Sequence, residues 1–170
     1  NDVRWLGSGP RCGIGELCLP ATQPGSSIMP GKVNPVQAEA LAMVCARVVG
    51  NDATVTLAGQ SGTFELNVMM PVIADALLES IRLLANGADA FRSRCVDGLE
   101  ADSERAGAYV EQSLAMVTAL VPVLGYDRAA ELAKQAHREG CTIRQLLLQT
   151  GDVSREQIDR LLDPARMTGE

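Results

Sequence analysis

Residues 25–35, Gly-Ser-Ser-Ile-Met-Pro-Gly-Lys-Val-Asn-Pro, place two adjacent hydroxyls, a lysine and an asparagine in one short segment. Its two prolines and two glycines interrupt any helix or strand, because proline fixes φ and lacks an N–H donor while glycine opens other backbone conformations. The segment is therefore predicted to be a loop. A cation, an amide, hydroxyls and free backbone N–H groups could together hold a carboxylate and stabilise an oxyanion. On composition alone, a connecting turn explains the segment equally well.

Long apolar helices are predicted after this loop. From Val36 the apolar residues recur at helical spacing, with Pro35 expected at the first helical position. A second helix, apolar on more than one side, is predicted from Glu65 to Val96. At ~1.5 Å per residue it would span roughly 45 Å. A compact monomer of this size cannot cover such a helix, so we expect other subunits to bury it.

Shorter and more polar helices are predicted after about residue 97. Ser154 and Gln157 have the spacing of a capping box, and Thr142 is expected to open another helix. Glycines mark the breaks between these segments. The predicted helices cover residues 103–120, 127–139, 142–150 and 154–162.

Composition supports an all-α fold, since hydrophobic residues make up 46% of the chain, aromatic residues only 3%, and Ala, Leu and Val are abundant. We expect two domains. Residues 1–97 would form long helices of a helical bundle, and residues 98–170 a small C-terminal helical domain.

Charge and cysteine content exclude several classes of partner. A net charge of −6 argues against binding nucleic acid, which needs clustered Lys and Arg, but leaves room for a small anionic substrate that responds to one local cation. The five scattered cysteines include no Cys-x-x-Cys pair, so neither a metal site nor a disulfide framework is predicted. Neither a secretory signal nor a membrane span is predicted from the sequence. We therefore expect a cytoplasmic protein with reduced cysteines and no membrane partner.

The order of residues in the loop resembles the signature loop of the fumarase/aspartase superfamily. Other parts of the chain resemble class II fumarate hydratases: residues 1–6, 9–16, 62–68, 125–127 and 163–169. The chain starts at Asn1 within this pattern, and we interpret it as the C-terminal portion of a longer protein.

The resemblance implies reversible hydration of fumarate to L-malate, a step of the tricarboxylic acid cycle, with no cofactor. In the elimination direction a weakly acidic C–H beside a carboxylate is broken and a dianionic aci-carboxylate forms. Such a site needs a base, ligands for the carboxylate and an acid for the leaving group. The resemblance also implies a homotetramer whose sites are each assembled from three subunits, with a small dicarboxylate as the ligand.

By this resemblance Ser26 is the catalytic base and Ser27 binds substrate. A serine hydroxyl is too weakly acidic by itself, so backbone N–H groups and the Lys32 ammonium are expected to stabilise its alkoxide. Lys32 and Asn34 match ligands of the substrate carboxylate, and residues two apart in an extended segment point the same way. Val33, between them, is expected to contribute a backbone group.

Glu39 is the second residue that the resemblance assigns to the catalytic machinery, where it would orient the catalytic histidine and raise its basicity. Taken alone, Glu39 is an ordinary acidic residue in a first helical turn. The single histidine of the sequence, His137, lies at the predicted end of a polar helix and matches no catalytic position. The catalytic histidine is expected in an upstream segment, so the isolated chain is expected to be inactive.

Two alternatives stay open. Aspartate ammonia-lyase belongs to the same superfamily and shares Pro71-Val72-Ile73, but aspartases tend to carry alanine at the Gly31 position and lack the Phe64-Glu65 form of the later motif. A non-catalytic helical assembly module would also explain the apolar helices. Such a module would have little reason to keep the serine, lysine and asparagine of the loop together.

Overall fold

A computed structural model describes residues 1–9, 11–22, 28–29, 31 and 33–168. The chain divides into two compact units, Asn1–Asp102 and Ser103–Glu170. Helices make up most of both units, which confirms the all-α prediction. The only strands among the described residues form one two-stranded antiparallel ribbon.

Two long helices dominate the first unit. In chain order its elements are α1 (Asp2–Leu6), β1 (Leu17–Cys18), α2 (Val36–Gln60), α3 (Met70–Arg94), a 3₁₀ turn (Val96–Gly98) and β2 (Glu100–Ala101). α2 and α3 pack antiparallel, since Asn51 of α2 meets Ala76 of α3 while Gly87 of α3 meets Leu41 of α2. A Cβ on Gly87 would lie 3.3 Å from Leu41 Cδ1, so glycine allows the two helices to approach closely there.

A buried amide joins the two helices midway. Asn51 Nδ2 donates to Glu79 Oε2 at 2.7 Å, Ser80 Oγ at 3.1 Å and Ala76 O at 3.2 Å. Arg47 adds a bond from Nε to the same Glu79 oxygen at 3.0 Å. These bonds, first from Asn51 and then from Arg47, hold the pKa of Glu79 below its usual value. Because a buried polar group must be satisfied, this cluster fixes the register of α2 against α3.

The predicted start of α3 at Glu65 was wrong by five residues. Thr63 and Leu66 instead pair as an isolated bridge, with Phe64 at φ 54° in the tight turn between them. Asn67 then links the two helices: its Nδ2 donates to Ala58 O at 2.9 Å, and its Oδ1 accepts from Met69 N at 2.8 Å. These interactions use the backbone groups that a longer helix would need, so the helix begins at Met70.

Small side chains fill the interior of the first unit. Its buried described residues are Ala38, Asn51, Ala58, Ala76 and Cys95. Larger apolar side chains on α2 and α3 remain exposed: Met43, Val49, Leu57, Met70, Leu77, Leu78, Ile81 and Leu84. An apolar surface of this extent is typical of an interaction face rather than of a monomer surface.

α2 is long and apolar enough to cross a membrane, judged by length and composition alone. The bent helix pair formed by residues 103–112 and 114–124 also meets these criteria of length and composition if it is counted as one span. Core helices of soluble proteins also pass this test. Only 6% of the most apolar window of α2 is buried in the structure. The apolar face of α2 therefore needs a cover, and the Arg47–Glu79 ion pair halfway along the helices is a poor fit to a hydrocarbon environment.

The second unit is a set of short helices, α4 (Ser103–Gln112), a 3₁₀ segment (Leu114–Leu120), α5 (Val121–Leu124), α6 (Tyr126–Glu139), α7 (Ile143–Thr150), α8 (Arg155–Leu161) and α9 (Pro164–Met167). The predicted capping box at Ser154–Gln157 is formed. Thr142 opens a helix as predicted, and it forms a second capping box with Gln145. The predicted single helix over residues 103–120 was wrong. Ser113 adopts an extended conformation and caps Ala115 N, which breaks the segment in two.

Large apolar residues fill the core of this second unit. The cluster comprises Met116, Leu120, Leu132, Ala136, Ile143, Leu146, Leu147, Ile158 and Leu162. Arg144 bridges Glu111 and Asp159 across its surface. The second unit thus buries its own large side chains, whereas the first unit leaves most of its own exposed.

Asn51→Ala is expected to lower the free energy of unfolding of the whole protein by about 1–3 kcal/mol, because it strips the hydrogen-bond donor from buried acceptors on α3. The urea midpoint measures this. The matched control is Asp52→Ala, since Asp52 is the exposed neighbour on the same helix and should change stability by less than about 0.5 kcal/mol. Equal midpoints for the two variants would show that the buried amide does not hold the helix pair.

Candidate functional site

The beginning of α2 presents the first part of the candidate site. Pro35 is the N-cap, with φ −77° and ψ 56°, and not the first helical residue as predicted. Its carbonyl accepts a hydrogen bond from Glu39 N at 3.0 Å, and Asn34 O accepts one from Val36 N at 2.8 Å. Proline suits this cap because the missing N–H has no partner to lose at a helix start.

Glu39 is half-buried in the first turn of α2. A cleft of about 310 Å³ opens beside it, and the described residues that line this cleft are Arg4, Trp5, Pro35 and Glu39. None of the described side chains donates a hydrogen bond to the Glu39 carboxylate. A half-buried carboxylate without such a donor can accept a hydrogen bond from a group elsewhere in the assembled protein.

The loop that precedes α2 is described only in part. Val33 is 54% exposed and Asn34 is half-buried, so the structure brings these two predicted substrate ligands together with Glu39 at the same helix end. Ser26, Ser27 and Lys32 lie outside the described residues. Their assignments, and the roles given to Val33, Asn34 and Glu39, stay predictions.

Gly31 takes up a backbone conformation that other residues avoid. Its φ is +79°, in the left-handed region, and a Cβ placed there would meet no atom of the described residues within 4 Å. The need for glycine is therefore conformational, because residues with a Cβ disfavour a positive φ.

The segment before the loop is anchored at several points. Leu17 and Cys18 pair with Ala101 and Glu100, and Asp102 N donates to Glu16 O at 2.9 Å. Gly7 packs so closely on Leu19 that a Cβ would lie 2.7 Å from its Cδ1. The chain thus enters the loop from a fixed ribbon and leaves it into a fixed helix.

Chemistry away from this cleft is limited in the described part of the chain. No group of three or more His, Cys, Asp and Glu residues there could hold a metal ion. Burial raises the pKa of the Cys95 thiol, which keeps it protonated and unreactive. His137 lies in the last turn of α6 beside Arg138, at the helix end where it was predicted.

Residues 1–50 match the family model described as Lyase, and residues 116–169 match the model described as Fumarase C C-terminus. Fumarate hydratase 1, mitochondrial, of Arabidopsis thaliana is 56% identical over 169 residues, which make up 99% of this chain and 34% of that protein.

Solved structures agree with the sequence matches. A fumarate lyase:delta crystallin from Brucella melitensis, bound to cobalt, superposes with a TM-score of 0.93 at 51% identity over 98% of this chain and 36% of that one. A recombinant class II fumarase from Schistosoma mansoni gives 0.90 at 42% identity, over 98% and 35% of the two chains. The chain belongs to the class II fumarate hydratase family. It spans about a third of the length of these relatives.

The sequence analysis missed two residues that line the cleft beside Glu39. Arg4 and Trp5 were noted only as part of a resembling segment, and nothing in their local pattern marks them as neighbours of Glu39. Their place on the cleft follows from the packing of α1 on α2. The one signal in the sequence is an arginine on a short helix that precedes the loop.

Gly31→Ala is expected to lower the free energy of unfolding of the whole protein by about 1–2 kcal/mol, because alanine is disfavoured at positive φ. Gly107→Ala in α4 is the matched control. Its site is helical and open, so alanine there should raise stability by about 0.5–1 kcal/mol. Chemical denaturation measures both changes, and an increase in stability for Gly31→Ala would contradict the left-handed conformation.

Proposed function

We propose that this chain forms part of a fumarate hydratase that catalyses the reversible hydration of fumarate to L-malate. The observation that carries the proposal is the half-buried Glu39 carboxylate in the first turn of α2, the helix that follows the signature loop. The cleft beside this carboxylate leaves it accessible to a hydrogen-bond donor. The family membership of the whole chain supports it. The reaction is a carbon–oxygen elimination and its reverse, and the proposal invokes no cofactor.

The proposal assigns roles to five residues of the loop. Lys32 and Asn34 bind a carboxylate of the dicarboxylate substrate, with Ser27 and the Val33 backbone completing the contacts. Ser26, as an alkoxide, removes the proton from the carbon beside that carboxylate. The Lys32 charge stabilises both this alkoxide and the aci-carboxylate that forms, which is electrostatic stabilisation of a developing oxyanion.

In this proposal Glu39 acts through the catalytic imidazole and does not contact the substrate. A carboxylate that accepts a hydrogen bond from an imidazole fixes the ring orientation and raises its basicity. The imidazole in question belongs to a segment outside this chain in this proposal, since the single histidine of the sequence, His137, matches no catalytic position of the resembling family. The chain therefore supplies one wall of the site and has no activity alone.

A homotetramer supplies the other walls in this proposal. The exposed apolar side chains of α2 and α3 need a cover, and the small residues between these two helices leave no room to bury them within the pair. Other copies of the protein, packed as a helical bundle, would cover them. Neither a membrane nor nucleic acid is a partner in this account.

The proposed location is the cytoplasm. The free cysteines, three of them exposed, suit a reducing compartment. The Arabidopsis relative is named as mitochondrial, and a mitochondrial matrix location would be equally compatible with the chemistry.

Fumarate formation, followed by ultraviolet absorbance, tests the proposed reaction. The whole protein, with its upstream portion, is expected to turn over L-malate and not L-aspartate. Ser26→Ala should lower kcat by at least about 10²-fold, in the range typical for loss of a general base. Turnover of aspartate alone would assign the protein to the ammonia-lyases, and a folded assembly inactive on both substrates would be a non-catalytic module.

Analytical ultracentrifugation of the same preparation tests the assembly. The sedimenting mass is expected to be four times that of one whole chain. Leu78→Glu places a charge on the exposed apolar face of α3 and should shift the mass towards smaller species, because burying an unpaired charge is costly. Glu156→Gln, on the exposed surface of α8, is the control and should leave the mass unchanged. A monomeric whole protein would contradict the shared site.

A further inference from the structure

The turn between α2 and α3 holds its aromatic residue in a costly position. Phe64 has a φ of 54°, in the left-handed region that a residue with a Cβ disfavours, and it is 97% exposed. The backbone on both sides is fixed, because Thr63 N donates to Leu66 O at 2.8 Å and Leu66 N donates to Thr63 O at 3.2 Å. Backbone strain of this kind is typical of functional positions.

The same turn presents apolar side chains together with one acidic residue. Glu65 is the only charged residue of the sequence between Asp52 and Asp75. Its carboxylate is exposed and forms no hydrogen bond or ion pair with any described residue. Three apolar neighbours of Phe64 are exposed as well: Leu66, Val68 and Met70. An apolar pocket that also carries a cation would complement a phenyl ring beside an unpaired carboxylate.

The second unit contains a pocket of this kind. Its volume is about 290 Å³, and its described apolar lining consists of Ala119, Leu161 and Met167. Two arginines, Arg160 and Arg166, complete the described lining. A cavity of about 150 Å³ can hold benzene, so the pocket has room for a phenyl ring. Methionine, as a flexible side chain, can adapt its shape to such a ring.

The two arginines of the pocket differ in what they already bind. Arg166 Nε pairs with Asp163 Oδ2 at 3.4 Å, whereas Arg160 forms no hydrogen bond or ion pair with any described residue. A guanidinium can bind a carboxylate through two N–H groups and can also lie against the face of an aromatic ring. The larger pocket in the same unit, formed by described residues between 117 and 130, has no cation in its described lining. The pocket with Arg160 is therefore the better complement to Phe64 and Glu65.

We propose that Phe64 of one copy of this chain inserts into the Arg160 pocket of a second copy, where Glu65 pairs with Arg160. The ring needs a partner from outside its own chain, because it is almost fully exposed within one. In a two-fold symmetric pair the contact forms twice, since each copy supplies one turn and one pocket. This inference deepens the proposed homotetramer and rests on it.

Zero-length crosslinking of the whole protein tests the contact directly. Arg160→Lys supplies an amine, and a carbodiimide joins an amine to a carboxylate when the two groups are paired. Mass spectrometry of assemblies mixed from isotopically light and heavy copies shows which chains are joined. We expect a crosslinked peptide with Glu65 from one copy and position 160 from another. Arg155→Lys, at an exposed position of the same helix outside the pocket lining, is the matched control and should give no such crosslink.

A substitution of Phe64 separates the contact from the backbone strain. Phe64→Gly removes the strain, so a ring without a partner predicts an unchanged or higher melting temperature. A ring buried in a second copy predicts the opposite. The same change should then lower the melting temperature of the assembled protein and raise the dissociation constant of the assembly at least about tenfold, as expected for an aromatic anchor of an interface.

A charge exchange tests the pairing of Glu65 with Arg160. Glu65→Arg and Arg160→Glu are each expected to raise the dissociation constant of the assembly about tenfold, because each variant places like charges in contact. The double variant restores an opposite pair and should bring the constant to within about threefold of the wild type. Sedimentation at decreasing protein concentration measures all four proteins.

Three results would overturn the proposal: no crosslink between these positions in a folded tetramer, a crosslink only within one copy, or an assembly that Phe64→Gly leaves equally tight. Charge variants whose losses simply add would also contradict the pairing. Failure of the proposed reaction looks different, because a tetramer that shows the crosslink but does not turn over malate would leave the contact standing. A monomeric wild type would overturn both the proposed assembly and this contact.

Discussion

The antiparallel packing of α2 against α3 is the interaction on which the rest of the first unit depends. It is made through alanine and glycine contacts and through the single buried amide of Asn51, which bonds to three groups on α3. This packing fixes the beginning of α2, and with it the position of Glu39 and the exit of the signature loop. Because the contact uses small residues, the large ones face outward.

The two units satisfy the hydrophobic effect in different ways. The second unit buries a cluster of large side chains and closes its helices with two capping boxes, so its core is complete within the chain. The first unit leaves its large side chains exposed along both long helices. The exposed apolar surface of the first unit requires a neighbouring segment to cover it. The Glu39 carboxylate, which has no donor among the described side chains, could accept a hydrogen bond from the same segment.

Local patterns in the sequence predict part of this structure, and tertiary contacts decide the rest. The helix start at Thr142 is predictable because a cap depends only on residues three apart in the sequence. The start of α3 cannot be predicted in this way, because the apolar pattern of the sequence continues through Asn67 without a break. The Asn67 side chain bonds to Ala58 O near the end of α2 and to Met69 N at the start of α3, and these contacts set the helix boundaries. Ser113 breaks another apolar run in the same way. Glu39 was predicted in a first helical turn, but Arg4 reaches the same cleft only through the packing of α1 on α2.

The most direct test of the account is a structure of the whole protein with a bound dicarboxylate. The measured quantities are the distances from the ligand to the side chains of Lys32 and Asn34, and from the Glu39 carboxylate to its nearest donor. We expect the ligand carboxylate within hydrogen-bonding distance of Lys32 and Asn34, and Glu39 bonded to an imidazole from outside residues 1–170. A ligand bound away from the signature loop, or a Glu39 carboxylate that still faces solvent in the assembled protein, would contradict the account.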